Sequence, residues 1–251
     1  MQMVATFVNW DNHANFPAKL ASELKANDQT LVIYWESRDE KIRNVNDPKY
    51  SYDAILRGDF DQYIREFGEE VRQAKVPTIV LPFIEMNGNW YPWSITTNGN
   101  SQVKHIMAYR KLYTMLHEIP NLKLGWVVNN GSVPSTVHNS IAMLYPGDQY
   151  TDYVGIDGFN FGNPDQSFRE VFDESLKELR ELGKPIYIFS MATADGQGKA
   201  LWIQDMNKQL LKYPEIQGFI WFNINKERDW RIWSDPESLE AFKLMLTIME
   251  N

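Results

Sequence analysis

Thr78-Ile79-Val80-Leu81-Pro82-Phe83-Ile84-Glu85-Met86-Asn87-Gly88-Asn89-Trp90-Tyr91-Pro92-Trp93 is the stretch from which the rest of the chain can be read. Residues 78–81 are short, apolar and β-branched, the pattern of a buried strand. The segment after them holds prolines, asparagines and a glycine, which mark a loop. A carboxylate (Glu85), an amide (Asn87) and two indoles (Trp90 and Trp93) therefore leave the C-terminal end of a strand together. A carboxyl so placed can protonate a glycosidic oxygen while flat indoles stack on sugar-ring faces. The plainer reading puts Glu85 in a salt bridge and the tryptophans in the core.

Outward from this stretch, strand-like and helix-like segments alternate. Strands are expected at residues 4–8, 31–35, 78–83, 122–128, 153–157, 185–189 and 217–222. Helices are expected at 17–26, 61–75, 103–118, 167–182, 198–213 and 236–249, with a short helical piece near 138–145. The polar loop 36–52 is expected to be ordered by Tyr50 and Tyr52. Strand–helix repeats without hairpin signals predict a parallel sheet, and strands that are apolar without alternation predict burial on both faces. Residues 54–56 (Ala-Ile-Leu) offer the eighth strand that closes a (β/α)8 TIM barrel, read as one domain over 1–251. A doubly wound open sheet competes, but no Gly-rich phosphate loop follows any strand.

Composition narrows the function classes. The net charge is −8 over 251 residues with no run of Lys or Arg, which argues against nucleic acid and anionic membrane as partners. No apolar run is long enough to span a bilayer, and residues 1–8 read as a strand rather than a leader. The chain has no cysteine, which removes disulfides and Cys-ligated zinc. Its four histidines, at 13, 105, 117 and 138, show no ligand spacing, so neither a metal nor a cofactor is expected. Nine tryptophans favour stacking surfaces.

In a (β/α)8 barrel the chemistry sits where strands end. Those ends read Trp10-Asp11-Asn12, Trp35-Glu36, Glu85-Met86-Asn87, Asn129-Asn130, Asp157-Gly158-Phe159-Asn160, Ser190 and Asn223. Carboxylates, amides and indoles of this kind grasp sugar hydroxyls and stack on ring faces. Trp126 and Trp221 fall within strands, where core and platform are equally open readings. Trp90, Trp93, Trp230 and Trp233 fall in loops and are expected to face a ligand, with Asp229 beside Trp230.

The residues resemble glycoside hydrolase family 26, the clan A barrels that include β-mannanases and β-1,3-1,4-glucanases, over nearly the full chain. The resemblance rests on three pieces: residues 83–88 with Trp90 and Trp93; residues 145–148 leading into 154–160; and Trp221-Phe222-Asn223 followed by Asp229-Trp230-Arg231. It implies that Glu85, ending the fourth strand, is the acid/base, and that Trp221, on the eighth, lines the cleavage point. It also implies departures. Ser190 stands at the nucleophile position on the seventh strand, and Ile84, Leu81 and Phe159 stand where a histidine, an arginine and a tyrosine are usual.

A retaining glycosidase needs two carboxyls roughly 5–5.5 Å apart, and a serine cannot replace one without a neighbouring base. Two readings follow. In one, Glu85 is the general acid of an endo-β-glycanase with a nonstandard second carboxylate, for which Glu36, Asp157 and Asp229 are candidates. Of these Asp157 is the one most readily explained as structural. In the other, the barrel binds glycan without cutting it, by natural loss or by an engineered change of the nucleophile. Either way the expected partner is a β-linked polysaccharide or oligosaccharide, met by a monomer. An extracellular or cell-surface location follows from that substrate class alone.

Overall fold

The computed structural model describes residues 2–11, 16–41 and 44–249; Asn12 and His13 lie outside the described residues. The elements run β1 (Met3–Asn9), α1 (Ala18–Ala26), β2 (Thr30–Glu36), α2 (Tyr52–Arg57), α3 (Asp61–Ala74), β3 (Thr78–Pro82), α4 (Gln102–Leu116) and β4 (Leu122–Asn129). They continue α5 (Ile141–Leu144), β5 (Tyr153–Asn160), α6 (Phe168–Arg180), β6 (Ile186–Thr193), α7 (Lys199–Leu210), β7 (Ile216–Trp221) and α8 (Pro236–Met249). This is the α/β order of the (β/α)8 TIM-barrel class, with seven strands among the described residues. None of the described helices is long and apolar enough to cross a membrane.

The chain gathers into two compact units, Met1–Gly155 and Ile156–Asn251. In the first, β1 pairs with β2, β2 with β3 and β3 with β4, all parallel. Every residue of β2 and β3 is buried, which explains their unbroken apolar runs: no position faces water, so none needs to alternate. The helix α3 buries Tyr63, Ile64, Phe67, Gly68 and Val71 at helical spacing. Gly68 lets α3 pack closely there: a Cβ would stand 2.7 Å from the terminal methyls of Leu116 and Ile119, which would have to shift. In the second unit β6, fully buried, pairs in parallel with β7. A capping box joins Ser167 and Glu170 at the start of α6. The α6 side chains Val171 and Phe172 lie so close to Gly158 that a Cβ there would come within 2.6 Å of the Phe172 ring.

The structure corrects the strand expected at residues 54–56. Residues 54–56 belong to the helix α2 instead. Ser51 caps it, its hydroxyl accepting from Ala54 N at 3.3 Å, and Gly58 closes it at φ 99° with its N–H donating to Ile55 O. Three apolar residues carry too few periods to separate a strand from a helix, whereas the Ser and Gly caps are helix punctuation. Glu85 therefore follows the third strand of this chain, Ser190 lies on the sixth and Trp221 on the seventh. Ser190 and Asp157 sit inside β6 and β5, not at their ends. The expected helical piece near 138–145 resolves into one 3-10 turn, Val137–Asn139, and the single turn α5.

Gly58→Ala tests the cap. An L residue held at that φ costs about 1–2 kcal/mol, and the urea midpoint is expected to fall accordingly with the m-value unchanged.

Candidate active site

After Pro82 the backbone turns sharply. Phe83 and Glu85 are both left-handed, at φ 54° and 53°, with Ile84 between them. Non-glycine residues in that region cost about 1–3 kcal/mol each and persist only when their surroundings dictate them. Here the surroundings are specific. The indole N–H of Trp93 donates to Ile84 O at 2.7 Å, and Glu85 N donates to Val127 O of β4 at 2.9 Å. Gly88 N returns to Glu85 O at 2.9 Å, and Ile95 N reaches Met86 O at 3.1 Å.

The carboxylate so presented is 9% exposed. Trp90 donates its indole N–H to Glu85 Oε2 at 2.8 Å, yet 38% of Trp90 remains exposed. The indole lies across Gly88, where a Cβ would stand 2.5 Å from the ring. The glycine of this motif is thus a spatial requirement of the Trp90–Glu85 contact.

Asn87 has a different task from the one its position at a strand end suggests. It is fully buried. Its side-chain oxygen accepts from Asn129 N at 2.8 Å, and its amide donates to Asn129 O and Ser132 Oγ. Asn139 donates to Asn87 O at 2.7 Å. These bonds lock the Glu85 loop to the end of β4, so Asn87 and the Asn129 backbone act as frame. The Asn129 side chain turns away to Gly131 O.

Glu36 ends β2 and is gripped by Arg38, whose Nη2 stands 2.8 and 2.7 Å from the two carboxylate oxygens and whose Nε stands 3.0 Å from Oε2. The guanidinium lies 5.3 Å from the Tyr91 ring centre and 5.9 Å from that of Trp93. Trp35 pairs with Pro82 across β2 and β3, so Glu36 leaves the sheet beside the start of the Glu85 loop. Glu36, Arg38, Tyr91, Trp90 and Glu85 thus gather on adjoining strand ends within one compact unit.

Other proposed platforms are core. Trp10 packs 4.7 Å from Trp35, and Trp35 stacks on Phe67 at 4.5 Å while donating to Tyr63 OH. Trp126 is fully buried, and so is Trp93 despite its loop. A loop that folds over a core can bury an indole as completely as a strand can.

In the second unit Ser190 is 4% exposed and Asp157 1%. Phe159, Phe161, Phe222 and Trp230 form one aromatic cluster, with Trp230 5.3 Å from Phe159 and 5.1 Å from Phe161. Trp230 is buried, against the loop-based expectation, while Trp233 is 53% exposed. Trp221 donates to Trp230 O at 2.7 Å, and Asn223 Oδ1 accepts from Ile232 N, so both shape the loop after β7. Buried Lys199 completes that loop, donating to Asp229 O, Arg231 O and Ser234 Oγ. Lys199, Tyr91 and Asn139 carry no local signal of their distant partners, whereas Arg38 stands two residues after the Glu36 it grips. Among the described residues no group of three His, Asp or Glu is placed to hold a metal.

Asp229 pairs with Arg231 at 2.6 Å, and this hydrogen-bonded guanidinium lowers the carboxyl to about 2. A carboxyl depressed on folding adds stability above its unfolded pKa and loses it as pH falls through about 2. Arg231→Met is expected to raise the Asp229 midpoint toward the ordinary value of ~3.9, read by carboxyl carbon NMR titration. It stops short of that value because the backbone N–H of residue 231 and the Lys199 charge remain.

Residues 7–240 match the family model described as Glycosyl hydrolase family 26. The chain is 31% identical over 255 residues to Endoglucanase H of Acetivibrio thermocellus, covering 97% of this chain and 27% of that protein. It is 24% identical over 161 residues to a mannan endo-1,4-beta-mannosidase of Bacillus subtilis, covering 62% of this chain and 41% of that protein. The chain thus spans well under half the length of these curated relatives. In fold it is similar to a β-mannanase of Bacteroides ovatus, with TM-score 0.65 and 17% identity over 97% of this chain and 78% of that one. It is likewise similar to the family 26 domain of an endo-β-mannanase/endo-β-glucanase of Prevotella bryantii, with TM-score 0.64 and 14% identity over 96% and 80%. This chain belongs to glycosyl hydrolase family 26.

Proposed function

We propose that the chain hydrolyses a β-linked polysaccharide, with Glu85 as general acid. The observation that carries this reading is the Glu85–Trp90 couple: a carboxyl on a strained, braced turn beneath a partly exposed indole. Backbone strain maintained at one carboxyl fits a reacting group better than a packing residue. The exposed part of Trp90 offers an apolar face for a sugar ring, and Glu85 delivers a proton to the leaving glycosidic oxygen.

The second carboxylate in this reading is Glu36. It leaves the neighbouring strand of the same unit, and Arg38 fixes its orientation. Glu36 is only 1% exposed and both its oxygens accept from Arg38. As a base it would therefore activate a water held beneath the surface, which inverting enzymes accommodate between carboxyls about 6.5–9.5 Å apart. The product would then carry the inverted anomeric configuration. The polysaccharide substrate also favours action outside the cell.

A second reading, glycan binding without cleavage, is favoured by Ser190. It occupies a buried position within β6, where the family resemblance puts a nucleophile, and a hydroxyl there has no carboxylate chemistry to offer.

One experiment separates the two. The parent, Glu85→Gln, Glu36→Gln and Ser190→Glu are offered β-mannan, mixed-linkage β-glucan and β-xylan, and fresh product is followed by NMR. Hydrolysis with inversion is expected from the parent, reduced about 10²–10⁴-fold in Glu85→Gln, the range for losing a general acid. A parent that binds but never cleaves, with activity emerging in Ser190→Glu, would establish the binding reading. Undiminished cleavage by Glu85→Gln would end the proposed mechanism.

A further inference from the structure

We infer that Tyr52 is a positioning residue for the Glu85 carboxyl, acting through Trp93 on the left-handed turn that presents it. The inference rests on the reading of Glu85 as the reacting acid. Tyr52 opens α2, the helix that stands where a strand was expected, and it is fully buried. Its hydroxyl donates to Trp93 O at 2.6 Å and lies 2.8 Å from His105 Nδ1. On the far side of that imidazole, Trp126 Nε1 donates to His105 Nε2 at 3.3 Å.

The protons in this chain have one consistent arrangement. A phenol has a single proton, and here Trp93 O takes it. His105 Nδ1 must then donate to the phenol oxygen, while Nε2 accepts from the indole of Trp126. Only the neutral imidazole protonated on Nδ1 satisfies all three bonds. Burial pushes His105 down to about 3, so this state holds across ordinary working pH.

The chain ends at the acid. Trp93, held at its carbonyl by Tyr52, uses its own indole to hold Ile84 O between the two left-handed residues. The Tyr52 ring also meets Phe83 edge-on at 5.0 Å and 89°. The turn is therefore braced twice from α2, once at a carbonyl and once at a ring. Because α2 contributes no strand to the sheet, its place in the fold is as a buttress behind the acid loop. Removing the hydroxyl leaves the ring contact with Phe83, so Tyr52→Phe separates bracing from packing.

The test combines structure and kinetics. Indole ¹H–¹⁵N spectra are recorded on the full chain and on Tyr52→Phe, with Trp90→Phe assigning the resonance of the indole that touches Glu85. Thermal unfolding confirms that the variant is folded. The Trp90 resonance is expected to move in Tyr52→Phe, and on a substrate the parent cleaves kcat is expected to fall about tenfold with KM within about twofold, as for a reacting group slightly misplaced. Tyr113→Phe, which removes a hydroxyl from a ring stacked on His117, is expected to do neither.

A folded Tyr52→Phe with the Trp90 resonance in place, or with kcat unchanged where the parent turns over, overturns the inference. If Tyr52→Phe does not fold, 4-fluorophenylalanine at position 52, which keeps the size of the phenol and has no proton to donate to Trp93 O, replaces it: the same movement of the Trp90 resonance supports the inference, and a stationary one refutes it. The spectral arm does not depend on turnover. Failure of Glu85 as an acid would appear separately, as unaltered hydrolysis by Glu85→Gln.

Discussion

The hydrogen bond from the Trp93 indole to Ile84 O is the interaction on which the candidate site depends. It pins the carbonyl of Ile84, the residue that lies between the two left-handed residues Phe83 and Glu85. Without it, Ile84 could relax with its neighbours to ordinary extended backbone, and the Glu85 side chain would leave the direction it now takes. The strain is opposed by bonds from several elements: Val127 O in β4 takes the Glu85 N–H, and Asn87, Asn129 and Asn139 lock the next turn. The loop is thus rigid by hydrogen bonding, although its composition is that of a turn.

The aromatic residues divide by what their polar edges do. Trp35, Trp93, Trp126 and Trp221 are buried, and each donates its indole N–H to a partner, respectively Tyr63 OH, Ile84 O, His105 Nε2 and Trp230 O. A buried indole usually finds a partner for that donor, and each of these four ties two segments distant in sequence or in fold. Trp90 differs: its N–H is held by Glu85 while a third of its surface stays open. Tryptophan abundance in this chain therefore reflects both construction and recognition, with most of the indoles serving construction.

The loop after β7 shows the same economy with charge. Lys199 is buried and gives its ammonium hydrogens to Asp229 O, Arg231 O and Ser234 Oγ, while Asp229 and Arg231 pair with each other. An ammonium withdrawn from water needs several acceptors, and the two backbone carbonyls it recruits belong to the two residues of the half-buried ion pair.

The alternation of apolar strands with amphipathic helices and the loop chemistry after Leu81 were legible in the linear sequence, because period and turn propensity are local properties. From them came the barrel class and the presentation of Glu85 at a strand end; the family came only from the resemblance carried by whole motifs. The helix at α2 was misread because three apolar residues fit either period, and its caps carried the decision. Burial of Trp93 and Trp230, the locking of Asn87 and the bracing by Tyr52 and His105 were decided by the tertiary structure alone. Each joins residues that local rules treat independently, and a hydrogen bond across 9 to 53 positions leaves no periodic trace in the sequence between them.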